Sequence, residues 1–214
     1  SVLIPLRLCM LTTVGADGAA LQLVPLSLAV PFGAFIGGKL MTSTGRYKRI
    51  QIAGASIVPL AVLGLAFINP HTVVPGLVCM ALIGLGIGLQ LPTSTVAVQN
   101  AVEHRYVGIA TAVSAFCRSL GAAIGIAVLM ALLLATLQAK VPAAVASFSG
   151  ADIIKAMMGD AQMHIDAMVK AQLAITVEGA FRKIFVISAL IAFASFILSL
   201  VIADETLEGK KPAS

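Results

Sequence analysis

The sequence predicts an all-α protein, a polytopic bundle of transmembrane helices, and three observations carry that prediction. Only 11% of its 214 residues are charged, against about 25% in soluble globular chains. Hydrophobic residues make up 59%, and the mean hydropathy is +1.05. Residues 18–38, 50–102 and 184–203 contain no Lys, Arg, Asp or Glu. A helix needs about 20 apolar residues to cross a hydrocarbon core of about 30 Å, so each of these runs is long enough. A soluble enzyme, a nucleic-acid binder and a disordered tail are excluded by this composition.

Residues 1–13 read as the end of a transmembrane helix whose beginning is missing. Pro5 and Arg7 interrupt an apolar run too short to cross the bilayer. A signal peptide places its positive charge before the apolar stretch, not inside it. The chain is therefore expected to be truncated. Gly15-Ala16-Asp17-Gly18 is a turn, and residues 19–41 form the first full span. Residues 42–49 are a polar, basic loop. The second span, 50–68, stops at the breaker pair Asn69-Pro70. The third, 73–98, carries Pro92, and Glu103-His104-Arg105 is the short polar turn after it. A fourth span, 106–137, has one formal charge, Arg118.

Residues 138–183 differ in character. Pro142, Ser147, Ser149 and Gly150 suggest a loop. Ile165, Met168, Val169 and Leu173 then fall on one helical face, with Asp166 and Lys170 as an i,i+4 pair opposite. This segment is expected to be an extracytoplasmic loop with an amphipathic helix at the membrane surface. Residues 184–203 form the last span, and 204–214 a cytoplasmic tail.

The formal net charge of +5 places four bases, Lys39, Arg46, Lys48 and Arg49, in one loop with no acid. Short basic loops stay inside, so the expected location is the cell (inner) membrane with this loop cytoplasmic. Such bases also touch anionic headgroups, so the lipid bilayer is the first partner and nucleic acid is none. Cys9, Cys79 and Cys117 lie in apolar segments without metal or disulfide spacing, and read as buried free thiols. No cofactor and no metal site is implied. Met157, Met158, Met163, His164 and Met168 have soft-ligand chemistry, yet they fall where an amphipathic helix needs adaptable apolar residues.

Several residues stand out as candidates. The loop Gly38-Lys39-Leu40-Met41-Thr42-Ser43-Thr44-Gly45-Arg46-Tyr47-Lys48-Arg49 allows a tight turn between antiparallel helices. Its bases either cap helix carbonyls or simply set topology. Pro92 cannot donate to the carbonyl four residues back, so the third span should kink near residues 88–92. Thr93, Ser94 and Thr95 can satisfy the freed backbone groups. Gly33/Gly37, Gly84/Gly88 and Gly121/Gly125 are small-xxx-small pairs that permit close helix packing.

Arg118 costs about 2.5–3.5 kcal/mol to insert, so it either faces protein or water with a partner or snorkels to the headgroups. Gln90 lies near mid-bilayer and either binds a substrate or joins two helices. Gln22 lies near the outer end of its span. Phe116, Phe32, Phe35 and Met130 either line an apolar pocket or pack in core and lipid. No Asp or Glu lies deep in any span. No nucleophile, base and orienting group converge at a recognisable spacing, so the protein is expected not to be an enzyme.

The basic loop resembles the cytoplasmic loop that repeats in the two halves of major facilitator superfamily transporters. Thr42 stands where that motif usually has an acid, as in the degenerate copy of the C-terminal half. A second set of residues resembles the C-terminal signature of the fourteen-span drug:proton antiporter branch. It comprises Leu91-Pro92-Thr93-Ser94-Thr95, Gly108, Ala110-Thr111-Ala112 and Phe116-Cys117-Arg118-Ser119-Leu120-Gly121 with Gly125. Leu3-Ile4-Pro5-Leu6, Leu23-Val24-Pro25-Leu26 and Ala180-Phe181-Arg182 fit the same branch.

The resemblance implies a partial C-terminal half of a major-facilitator fold, from the end of the ninth span through the fourteenth. It implies proton-coupled export of drugs or other small amphipathic toxic compounds by alternating access. The partners would be protons, that substrate and the missing N-terminal half of the same transporter. The principal proton site would lie in the missing part, and this chain alone would not transport. A non-transporting membrane interaction module, or a carrier for a metabolite or siderophore, remains the alternative.

Overall fold

Helix α1, Val24–Thr44, opens with a proline in its first turn, where the missing N–H has no intrahelical acceptor to lose. It ends where Gly45 turns left-handed at φ +68° and donates its N–H to the Met41 carbonyl at 2.9 Å. A side chain at that φ would be strained, so glycine is the residue that allows the tight reversal. Thr42, Ser43 and Thr44 donate their hydroxyls back to the carbonyls of Lys39 and Leu40, at 2.6–3.0 Å. The turn thus satisfies its own polar groups, and α2, Lys48–Phe67, begins three residues later. The structure, a computed structural model, describes residues 23–68, 72–140 and 167–201.

Helix α3, Val73–Asn100, runs through Pro92 without interruption. A short 3-10 turn, His104–Tyr106, leads into α4, Val107–Lys140. Its Glu103–Arg105 ion pair, 2.7 Å long, is well exposed and contributes little to stability. Helix α5 is Ala167–Val201. Among the described residues, five helices are long and apolar enough to cross a membrane.

Two helices outrun the spans expected of them. α4 continues past residue 137 because nothing breaks it before Pro142. α5 starts 17 residues before position 184, inside the segment expected to be a loop with an amphipathic helix at the membrane surface. No proline lies between 167 and 184, and Gly179 alone does not end a helix. Residues 1–22, 141–166 and 202–214 lie outside the described residues. With them lie the expected helix end at 1–13, the methionines at 157, 158 and 163, and the tail.

α3 is the central strut, packed against α1 on one side and α2 on the other. α5 lies along α2, and α4 touches only α5, α3 and the 3-10 turn to any extent. The apolar core divides between the two ends of the bundle. At the end opposite the basic turn, Phe181, Ile184, Val177 and Leu133 are fully enclosed with Leu65, Met80 and Ile83, joining α2 to α5. The rings of Phe181 and Phe185 stack with centroids 6.3 Å apart. At the basic end, Met41, Tyr47 and Ile50 bury against Leu89, Val96 and Ala97.

Candidate functional site

Between these two cores the helices meet backbone to backbone. Residues four apart share a helix face, and residues two apart lie about 200° round it. Gly84 and Gly88 therefore face α1, and Gly86 faces α2. A Cβ at Gly84 would lie 2.5 Å from the Leu26 carbonyl oxygen, and one at Gly88 would collide with the Val30 carbonyl. From the other side, a Cβ at Gly33 would lie 2.6 Å from the Leu85 carbonyl oxygen. Gly37 is less tight, 3.3 Å from Leu89 Cα. On the α2 side, a Cβ at Gly54 would stand 2.8 Å from the Gly86 carbonyl oxygen. Gly54 was not legible as a partner, since it belongs to no small-xxx-small pair with another glycine.

The α2 face of α3 continues from Gly86 to Gln90 and Thr93, at i, i+4 and i+7. Gln90 is half-buried, and its Nε2 donates to the Gly86 carbonyl of its own helix at 3.3 Å. Thr93 is fully buried and reaches Gln51 Oε1 of α2. Its single hydroxyl proton also has the Leu89 carbonyl at 2.9 Å and the Gln90 carbonyl at 3.1 Å. Turning the Gln51 amide lets its nitrogen donate to Thr93, which then donates to Leu89. Sequence reasoning missed this α2–α3 link. Its signal was a pair of hydrogen-bonding side chains inside a charge-free run. Ser94 and Thr95 donate to Leu91 at 3.2 and 2.9 Å. The carbonyl that Pro92 deprives of a donor is that of Gly88, which none of these hydroxyls contacts.

α4 presents a different surface. Its bundle-facing stripe runs through Thr111, Ser114, Arg118, Gly125, Leu129 and Leu133 at heptad-like spacing. At one end Thr111 accepts a hydrogen bond from Gln99 Nε2 of α3 at 3.2 Å. At the other end Leu133 is fully enclosed in the core. Between them Arg118, Gly121 and Ala122 are exposed, and a Cβ added at Gly121 or Gly125 would meet nothing within 4 Å. The helix is held at both ends and stands off in the middle, beside Arg118. Arg118 lies about 17 Å into α4, at 1.5 Å per residue. It has no ion pair among the described residues.

Phe116 is 65% exposed. Two residues from Arg118, it points to the far side of α4, so the two do not line one wall. Cys117 is also exposed rather than buried, while Cys79 is half-buried. Phe32 and Phe35 are exposed on α1, and Met130 packs against the main core. Gln22 lies outside the described residues. Among the described residues no cluster of His, Cys, Asp or Glu could hold a metal.

At the basic turn, Gly38 and Gly45 have open space around them, and Arg46 and Arg49 are exposed beside a cleft between α1 and α2. Lys48 is half-buried at the start of α2. At the opposite end Arg182 of α5 lies over the Phe67 ring of α2, 4.6 Å from its centroid. That cation–π contact was not foreseen either, because Phe67 and Arg182 are remote in sequence.

The chain is 34% identical over 104 residues to the MFS-type efflux transporter ffsH of Aspergillus flavipes, covering 48% of this chain and 18% of that protein. It is 32% identical over 121 residues to a tetracycline resistance determinant of Streptomyces rimosus, covering 56% and 35%. An uncharacterized MFS-type transporter of Mycobacterium tuberculosis aligns over 208 residues at 26% identity, 95% of this chain and 30% of that protein. The chain thus spans about a third or less of the length of the relatives it matches. The family model for the Major Facilitator Superfamily matches residues 4–126, more than half of the chain. With its bundle of membrane-length helices, this multi-pass membrane protein belongs to the major facilitator superfamily.

Proposed function

We propose that the chain is the C-terminal part of a secondary active exporter of the fourteen-span drug:proton antiporter branch. It moves small amphipathic toxic compounds outward in exchange for protons, by alternating access. Family membership supports a transporter rather than an enzyme. Relatives named for efflux and for tetracycline resistance support drug-like cargo. The C-terminal placement rests on the residues from Leu91 to Gly125 that resemble the branch signature. The basic turn between α1 and α2 faces the cytoplasm of a cell (inner) membrane by the positive-inside rule.

The observation that carries the reading is Arg118 in the stand-off of α4. An arginine at that depth costs about 2.5–3.5 kcal/mol unless water or protein receives it. The open space beside Gly121 and Gly125 makes a wetted cavity its receiver. Residues 18–102 and 106–137 contain no Asp or Glu. Glu178 stands at the very start of the membrane-length stretch Val177–Val201 of α5 and not deep within it, so the titrating carboxylate that proton coupling needs is assigned to another part of the transporter. The N-terminal half of the fold closes the cavity across the exposed middle of α4, and the two halves rock about it.

Dye efflux from vesicles carrying the intact transporter under an imposed pH gradient tests this. Arg118→Ala is expected to lower the rate about tenfold or more, the scale of one lost charge-assisted contact of ~1.4 kcal/mol. Arg118→Lys retains part of it, and membrane insertion stays normal in both. Unchanged efflux in Arg118→Ala overturns the assignment of Arg118. Failure of any pH gradient to drive efflux from the unsubstituted transporter overturns the exporter reading itself.

A further inference from the structure

We propose that the outer flank of α2 is a binding site for one anionic phospholipid. Its headgroup sits at Arg46 and Arg49, and one acyl chain runs along α2 into the cleft against α5. The basic end supplies a groove of about 610 Å³ between α1 and α2, with Ile36, Leu40, Ile50 and Ala53 among its apolar walls and the two arginines on its rim. The second cleft, about 370 Å³, lies between α2 and α5 and is walled by Ser56, Pro59, Leu60, Leu63, Phe193 and Phe196, among others.

The two share one face of α2. Arg49, Ala53, Ser56, Leu60 and Leu63 follow at intervals of four, three, four and three, the repeat that keeps residues on one side of a helix. From Arg49 to Leu63 the trough is about 21 Å long at 1.5 Å per residue. Half of a hydrocarbon core is about 15 Å, so an acyl chain entering at the arginines stays within the trough to its tip. Leu60, at its far end, is 69% exposed.

Charge decides which lipid. Residues 18–102, the whole of α1, α2 and α3, contain no Asp or Glu. Glu103, the next acid along the chain, is paired with Arg105. The guanidinium groups of Arg46 and Arg49 have no ion partner among the described residues, and a planar fork of donors matches a phosphate diester in two-point contact. Lys48, at the start of α2, adds positive potential nearby, which favours a headgroup with net negative charge over a zwitterion. A soluble anion would use the arginines and leave the apolar trough empty. An apolar peptide would use the trough and leave the arginines unpaired.

The chain contains no tryptophan, so Leu60→Trp places a single fluorophore in the trough. The protein is reconstituted in mixtures of phosphatidylcholine and phosphatidylglycerol, with one or the other brominated on its acyl chains. Quenching then reads the lipid at that position. The expected result is at least a threefold preference for phosphatidylglycerol. Arg46→Gln with Arg49→Gln brings it to parity, while Lys39→Gln, which removes a charge from the same loop but not from the groove, leaves it. Circular dichroism confirms that each variant keeps its helices. Equal quenching by both lipids overturns the proposal, as does a preference that survives loss of both arginines or falls equally in Lys39→Gln. Absence of quenching by either lipid overturns it too, since protein then covers the trough.

Discussion

Gly88 and Gly121 each sit four residues from another glycine, and their surroundings are opposite. A Cβ at Gly88 would collide with Gly33 Cα and the Val30 carbonyl, while one at Gly121 would meet nothing within 4 Å. A methyl group at Gly88 must push two backbones apart, and overpacking of that kind costs about 1–3 kcal/mol. At Gly121 nothing is displaced, and alanine gains up to about 1 kcal/mol in helix propensity. Unfolding of the solubilised chain is therefore expected at lower temperature for Gly88→Ala, and at an unchanged or higher one for Gly121→Ala. Equal shifts would show that the contact at Gly88 is not the one that joins α1 to α3. The spacing of small residues was legible in the sequence. What each pair abuts was not, because the partner backbone of Leu26, Ala29 and Val30 leaves no mark in the composition. The Gln51–Thr93 link escaped for a similar reason: either residue alone is an unremarkable polar side chain near a span end.

Among the helices, α4 and α3 make a useful contrast. Both are long and apolar, and both carry a cysteine in their first third. Cys79 of α3 is half-buried beside Gly64 of α2, while Cys117 of α4 is exposed next to Arg118. Thiol reactivity toward water-soluble reagents follows exposure to water. If the middle of α4 borders a wetted cavity, a polar maleimide labels Cys117 about tenfold faster than Cys79. Peptide mass spectrometry of the protein in native membranes reads the two sites separately. Matching slow rates at both would place the α4 stand-off in lipid. The sequence could mark α4 as a span from its hydropathy, but not its looseness. Hydropathy is the same for a helix facing protein and one facing lipid, since both surroundings are apolar. The continuity of α5 from Ala167 into the last span was missed, because its first turns are polar enough to read as a separate surface helix.

For the molecule as a whole, the charge asymmetry gives a fold-level expectation. Reporter fusions truncated after residue 46 or residue 104 should report the cytoplasm, and one after residue 70 the opposite side. The four bases at 39–49 set this expectation, because Lys and Arg in a short loop beside span ends bias it to the cytoplasm. A cytoplasmic signal at 70 would invert the bundle and with it the side on which Arg46 and Arg49 lie. The class and the presence of several membrane-length helices were readable from charge-free runs, because the bilayer imposes a length on each helix. Which helices touch was not readable. That depends on carbonyls and glycines meeting across α1, α3 and α2, and on aromatic rings such as Phe181 closing one end.

The order of synthesis gives the enclosed Leu133 a further meaning. α4 leaves the ribosome before α5, yet the side chains that enclose Leu133 include Phe181 and Ile184 of α5. Until α5 arrives, Leu133 lacks that cover, and α4 is held to α3 through the Gln99–Thr111 hydrogen bond of its first turns. The glycine contacts among the three helices before it need no such wait, because they lie wholly within residues 24–100. A nascent chain halted between residues 140 and 167 would hold those glycine contacts, but leave Leu65, Met80 and Leu133 without the α5 side chains of their core.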